Sequence, residues 1–248
     1  MKNDVRQAVI MAAGLGTRLR PLTFETPKPM LRVAGRPILE WNIEALPPDV
    51  SEVVIVVGHL KDKIIGHFGA DWRGRRIVYA EQKHLLGTGH ALHVCRGLLD
   101  ERFLVMNGDD LYGAADIAAA SGRGPAVLAK PSEVSGRFGV FRTDASGNLM
   151  DIAEGAGASS GALVNAGLYY LDRRFFDYPL VPIKGGKEYG LPQTLVLMAR
   201  EVPVAVIKAG FWVPIGYPED LEAATAAMEA RLTDAERAVS RLGSHGGI

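Results

Sequence analysis

Apolar runs of strand length recur along the first half of the chain, at Ala8–Ala12, Val53–Val57, Arg76–Ala80, Phe103–Met106 and Ala126–Ala129. A strand with one wet face alternates apolar and polar residues. One that is apolar nearly throughout is covered on both faces, as in a parallel sheet held between two helical layers. Segments with helical spacing fall between the runs, at Ile38–Leu46, Lys61–Phe68 and His90–Leu99. The pattern predicts a Rossmann-like, doubly wound α/β fold with a mostly parallel sheet, and such folds take ligands beyond the carboxyl ends of their strands.

The second half has a different texture. Phe138–Thr143, Leu149–Ala153 and Leu163–Leu171 read as strands separated by turn signals, Asp144 to Gly147 and the Gly/Ser-rich stretch 155–161. They predict antiparallel pieces forming a small lid or edge. Helices are expected at Leu191–Arg200 and from Pro218 to about Leu242. Pro218 suits a first helical turn, and Glu219 and Asp220 complement the positive end of the helix dipole. The 248 residues suffice for one domain with a buried core, expected over 1–230, with 231–248 a helix end and a frayed tail from Ser244 to Ile248.

Lys plus Arg and Asp plus Glu both number 28, so net charge is zero and a broad nucleic-acid footprint is excluded. Positive charge that matters must be local. Cys95 is the only cysteine and lies in an apolar pattern with Ala91, Leu92, Val94 and Leu98, which rules out a disulfide framework and suits a reducing cytoplasm. Residues 8–13 are too short an apolar run for a leader, and none approaches the ~20 residues of a membrane helix. The expectation is a cytoplasmic protein with no membrane partner, and a homo-oligomer is left open.

Directly after the first run comes Gly14-Leu15-Gly16-Thr17-Arg18, a loop in which small residues let backbone N–H groups approach phosphate oxygens. It is not a P-loop, which would end in GK[ST], nor a dinucleotide fingerprint, which needs a third small residue where Leu19 stands. Arg18, Arg20 and Lys28 follow within a proline-stiffened stretch, so the loop is small, rigid and cationic at once.

Read together, GLGTRLRPLT, TPKPML and GRPILE make the span Ile10–Glu40 resemble the sugar-1-phosphate nucleotidylyltransferase (sugar-nucleotide pyrophosphorylase) superfamily, with the signature LAAGxGTRLxPLTxxxPKPMLxVxGxPILE. The form most resembled is the UDP-glucose and UDP-N-acetylglucosamine type without a C-terminal β-helix. The resemblance implies transfer of a nucleotidyl group from a nucleoside triphosphate, UTP or dTTP, to a hexose-1-phosphate. Two polyanions must meet, so positioning and charge stabilisation dominate the barrier. It assigns Arg18 to the departing pyrophosphate, Lys28 to the α-phosphate and sugar phosphate, and Asp109, in FLVMNGDDLY, to Mg2+. It places the nucleotide on Ala12, Ala13, Gly14, Gly16 and Thr17, with Gln82, Gly87 and Thr88 reading the base; an amide offers the donor and acceptor that an imide edge requires. Gly139, Glu154 and Asn165 fall where the family contacts the sugar.

Two departures bear on mechanism. Glu154-Gly155-Ala156 stands where many relatives have Glu-Lys-Pro, so a second phosphate lysine is missing and Lys130, Lys184 and Lys187 are candidate substitutes. Pro214 stands where relatives carry a metal-binding aspartate, and Asp110 is a candidate second ligand through water. These departures recommend an alternative, a noncatalytic relative that senses a sugar nucleotide. A cytidylyltransferase for a non-sugar phosphate shares the first motif. The acetyltransferase or regulatory roles of longer relatives are expected to be absent. His90 and His93 are three apart without a zinc-like third ligand and are assigned to packing and capping.

Overall fold

The computed structural model describes residues 5–122, 124–132, 138–153, 161–183 and 185–243. In chain order the first half holds β1 (Gln7–Met11), a hairpin of β2 (Arg32–Val33) and β3 (Arg36–Pro37), α1 (Ile38–Ala45), β4 (Glu52–Val57), α2 (Lys61–Phe68), β5 (Asp71–Trp72), β6 (Arg75–Glu81), α3 (Gly87–Val94), β7 (Arg102–Asn107), β8 (Asp110–Tyr112) and α4 (Ala114–Ala120). The second half holds β9 (Ala126–Ser132), β10 (Val140–Thr143), β11 (Leu149–Ala153), β12 (Ala162–Asp172), α5 (Leu191–Ala199), β13 (Ala205–Lys208), β14 (Trp212–Pro214) and α6 (Pro218–Gly243).

Ten of these strands form one sheet, in the order β11-β10-β12-β7-β1-β4-β6-β5, with β9 and β13 joined through β12. Its centre, β7-β1-β4-β6, is parallel throughout. Side chains of the central strands alternate between two separate cores, which is why the runs are apolar without interruption. Val53, Ile55 and Val57 of β4 pack with Leu39, Ile43, Ile64, Phe68 and Ile117, from α1, α2 and α4. Val54 and Val56 face the other way, toward Leu92 and Cys95 around α3 and Leu191, Leu195 and Met198 around α5. Helices on both faces make the sheet doubly wound, as expected.

Of the two expectations for the antiparallel pieces, the edge holds: they extend the central sheet rather than standing apart as a lid. β12 pairs antiparallel with β7 over Leu168–Asp172, with β10 at Val164, and with β9 at both Ala162–Asn165 and Tyr169–Tyr170, so the wing continues the central sheet. The β12–β9 register shifts between Asn165 and Tyr169, around Gly167 at φ +71°. A second correction concerns α3, which starts at Gly87 and ends at Val94 rather than running from His90 to Leu99. Beyond it the chain turns tightly, with Leu98 N donating to Cys95 O, and Leu98 is exposed rather than core. Helix α6 runs unbroken past residue 230, and its start is held by Asp220 Oδ2, which accepts from Gly216 N and Tyr217 N. No helix among the described residues is long and apolar enough to cross a membrane.

Candidate active site

Carboxyl ends of the parallel strands open onto a cleft of about 900 Å³. Backbone contacts set its floor. Gly108 N donates to Met11 O at 2.9 Å, and a Cβ on Gly108 would lie 2.7 Å from that same oxygen, so only glycine lets the end of β7 close against the end of β1. This approach carries Asn107 and Asp109 to the mouth of the Gly14–Arg18 loop. The loop turns at Gly16, whose φ of +62° lies in the left-handed region, and Gly16 O accepts from Thr23 Oγ1 at 2.8 Å and from Leu19 N at 2.9 Å. Leu19 is fully buried beneath it and anchors the loop in the small core under the β2–β3 hairpin.

Lys28 opens a short 3-10 turn after Pro27 and is itself buried, 7 % exposed. Its ammonium donates to Asp109 Oδ2 at 2.5 Å across 81 residues of sequence. Asp109 remains open to the cleft on its other side, and its Oδ1 engages no described residue. Arg18 projects into the cleft with its guanidinium 5.4 Å from the ring centre of Tyr217. Arg18 and Lys28 are the cations among the described lining residues.

The opposite wall holds Gln82, Gly87 and Thr88. Gln82 is buried, its backbone N donates to Val57 O, and its Nε2 donates to Gly87 O at 3.0 Å. Gly87, at φ +89°, is pressed against residues 188–189: a Cβ there would meet Tyr189 O at 2.5 Å. Tyr189 N donates to Leu86 O, Gly89 N to Tyr189 O, and Leu191 N to Thr88 Oγ1. The stretch Glu188–Gly190, with Pro192 and Gln193, thereby walls the cleft. Sequence reasoning did not single these out, nor Asn107; the signal present was the glycine beside a Leu-Pro helix start.

All the residues assigned to catalysis and the nucleotide, Ala12, Ala13, Gly14, Gly16, Thr17, Arg18, Lys28, Gln82, Gly87, Thr88 and Asp109, line this one cleft. Of the sugar-side set, Gly139 and Asn165 are not among the cleft-lining residues. Gly139 O accepts from Asn165 N in the antiparallel wing, and the Asn165 side chain is spent on Tyr169 Oη and Gly167 N. Glu154, Gly155 and Lys184 lie outside the described residues. Lys130 is turned to Gly210 O at 2.6 Å, and neither it nor Lys187 is among the cleft-lining residues.

Asp110 stands behind the cleft. Its Oδ1 accepts from Ile215 N at 3.2 Å and its Oδ2 from Trp212 Nε1 at 3.3 Å, so it pins β14, whose Pro214 pairs directly with Asp110. Burial, then the neighbouring Asp109 charge, push its carboxyl up to about 7 against the opposing pull of Lys28. This carboxylate is engaged with β14 and does not line the cleft, so it offers no direct ligand there. No cluster of three metal-ligating side chains occurs among the described residues. Asp109 alone still suits magnesium, which takes oxygen donors and keeps water and phosphate oxygens for its other positions.

The chain is similar to known proteins over most of its length. The Nucleotidyl transferase family matches residues 7–231. The chain is 33 % identical over 216 residues to the Bifunctional protein GlmU of Methanocaldococcus jannaschii, covering 86 % of this chain and 52 % of that protein, so it spans about half the length of that relative. It is 33 % identical over 240 residues to the UTP--glucose-1-phosphate uridylyltransferase AglF of Haloferax volcanii, covering 92 % of this chain and 99 % of that one. Among solved structures, a UDP-glucose pyrophosphorylase complexed with UDP-glucose superposes with a TM-score of 0.77 at 22 % identity, over 92 % of this chain and 99 % of the other, which speaks for the fold. Matched by the family over residues 7–231 and by AglF over 92 % of its length, the chain belongs to the nucleotidyl transferase family.

Proposed function

We propose that the chain transfers a nucleotidyl group from UTP or dTTP to a hexose-1-phosphate, glucose-1-phosphate or N-acetylglucosamine-1-phosphate, and releases pyrophosphate. The observation that carries this reading is the Lys28–Asp109 pair at the floor of the cleft, between a glycine-rich loop and a buried glutamine. The name of the similar UTP--glucose-1-phosphate uridylyltransferase AglF supports UTP and glucose-1-phosphate among these substrates.

A phosphate oxygen of the sugar phosphate attacks the α-phosphorus in line, and the bond to the β,γ-pyrophosphate breaks. That oxygen is already ionised at neutral pH, so no general base is needed. Backbone N–H groups of the Gly14–Arg18 loop receive the triphosphate, and Arg18 holds the departing pyrophosphate with its fork of donors. Lys28 neutralises charge at the α-phosphate where both substrates meet. Asp109 would hold a magnesium ion, which would supply further charge neutralisation there. Gln82 and the Gly87 backbone meet the base.

The test is pyrophosphate release, followed by coupled phosphate detection, with four nucleoside triphosphates against a panel of hexose-1-phosphates in magnesium buffer. Turnover with UTP or dTTP and a hexose-1-phosphate is expected. Binding of a sugar nucleotide without turnover on any pair overturns the reading in favour of a sensor.

A further inference from the structure

His90 carries a role that packing does not explain. It stands in the first turn of α3, and its Nδ1 lies 3.1 Å from Gln82 Nε2. Gly87 O lies 3.0 Å from that same nitrogen. A carbonyl oxygen only accepts, so the group facing Gly87 O must be the NH2 end of the amide and not Oε1. One N–H goes to Gly87 O. The second points at His90 Nδ1, which must then be the unprotonated ring nitrogen, with the proton on Nε2. Burial, and then the neighbouring His84, hold the His90 pKa below its ordinary value, which keeps the ring neutral.

With both N–H groups turned inward, Oε1 is the only atom of this amide left to meet a ligand, and no described residue donates to it. We infer that His90 is a positioning residue for base choice: it locks Gln82 as an acceptor, so the cleft takes a base whose edge presents an N–H, as the imide of uracil or thymine does. Guanine shares that N–H; cytosine and adenine present a bare ring nitrogen there, and two acceptors then face each other. Acceptor against acceptor leaves a buried polar group unpaired, the arrangement that discriminates most strongly.

This inference rests on the proposed nucleotide site and is tested apart from turnover. Calorimetric binding of UTP and CTP to the full chain in magnesium buffer is measured beside steady-state kinetics. The wild-type protein is expected to prefer UTP. His90→Leu should raise the dissociation constant and KM for UTP about tenfold, the size of one lost hydrogen bond, with kcat within about threefold, and should erase most of the preference over CTP. His90→Asn, whose Oδ1 stands near the position of Nδ1 and also accepts, should restore it. A purely structural role would not separate leucine from asparagine in base preference.

Long-range proton–nitrogen correlation spectra of the wild type test the same point without a variant and should show the Nε2–H tautomer of His90. A wild type that prefers CTP, a leucine variant that keeps the UTP preference, or an Nδ1–H tautomer overturns the inference. Preferential UTP binding without turnover sinks the transferase reading and leaves this one standing.

Discussion

Lys28 Nζ lies 2.5 Å from Asp109 Oδ2, a contact in which the lysine side chain is 9 % exposed and the carboxylate 34 %. The lysine is thus positioned before any phosphate arrives, and little ordering is left to be done on binding. Lys28→Met should lower turnover by about 10²–10³, equivalent to about 2.7–4 kcal/mol of transition-state stabilisation. The fold should survive, because the carboxylate left behind reaches water. Asp109→Asn keeps an acceptor for the lysine but weakens the hold on magnesium, so it should lower turnover and shift the magnesium requirement to higher concentration. Initial rates of pyrophosphate release across a magnesium titration, with circular dichroism melts, separate the two; turnover of Lys28→Met within a few-fold of the parent removes the assigned role.

Gly14 and Gly16 should respond differently to alanine although they are two residues apart. At Gly16 the backbone is left-handed, and a Cβ would stand 2.9 Å from Thr23 Cγ2 and 3.1 Å from Lys28 Cβ. Gly16→Ala should cost about 1–2 kcal/mol of stability from the backbone alone and disturb Lys28, lowering kcat as well. At Gly14 nothing lies within 4 Å of the added carbon. Gly14→Ala should melt within about 0.5 kcal/mol of the parent, as ordinary surface changes do, while raising KM for the nucleotide because residue 14 lines the cleft. Equal stability losses at both positions would show the loop geometry to be wrong.

What could be read from the chain alone follows from how far apart the determining contacts lie. The central strands were legible because burial on both faces writes itself into every residue of Val53–Val57, and the cleft floor because Gly14 to Lys28 is continuous in sequence. The cleft wall at Glu188–Gly190 was not, since it is defined by docking against Leu86–Gly89, about a hundred residues away. The start of α3 was misplaced because helical spacing begins at His90, whereas Gly87 enters the helix at a positive φ that only tertiary contact with Tyr189 explains. His90 looked like a packing residue because its partner, Gln82, lies outside its own helix. Asn165 had the right residue type for a sugar contact, yet its amide closes the turn at Gly167.

Cys95 should be silent to thiol reagents in the folded state. It is fully buried, its Sγ donates to Ala91 O, and burial pushes its thiol up to about 12. Since the thiolate is the reactive form, labelling with a disulfide reagent at pH 8 should be negligible until the protein opens. In denaturant the thiol should react at once, and the labelling rate against denaturant concentration then reports opening of the α3 face. Rapid stoichiometric labelling of the native protein would contradict the packing of α3 on the sheet.

Glu40 should make the protein acid-sensitive at a site remote from the cleft. Burial by itself raises its pKa, but hydrogen bonds from His67 and then Arg36 outweigh burial and leave it below its ordinary value of 4.5. The bonds measure 2.8 Å and 3.2 Å and tie α1 to α2 and to the β2–β3 hairpin. A carboxylate held below its unfolded value contributes stability that is fully present above about 4.5 and is lost as pH falls through the folded value. Glu40→Gln should therefore be less stable than the parent at pH 7, by about 0.5–1.5 kcal/mol for the weakened bonds, and should lose less on acidification. Urea denaturation at pH 7 and at pH 3.5 measures both: the two proteins should converge at the lower pH. A gap that stays constant across this range would mean that the Glu40 charge does not contribute and that the variant suffers only from altered packing.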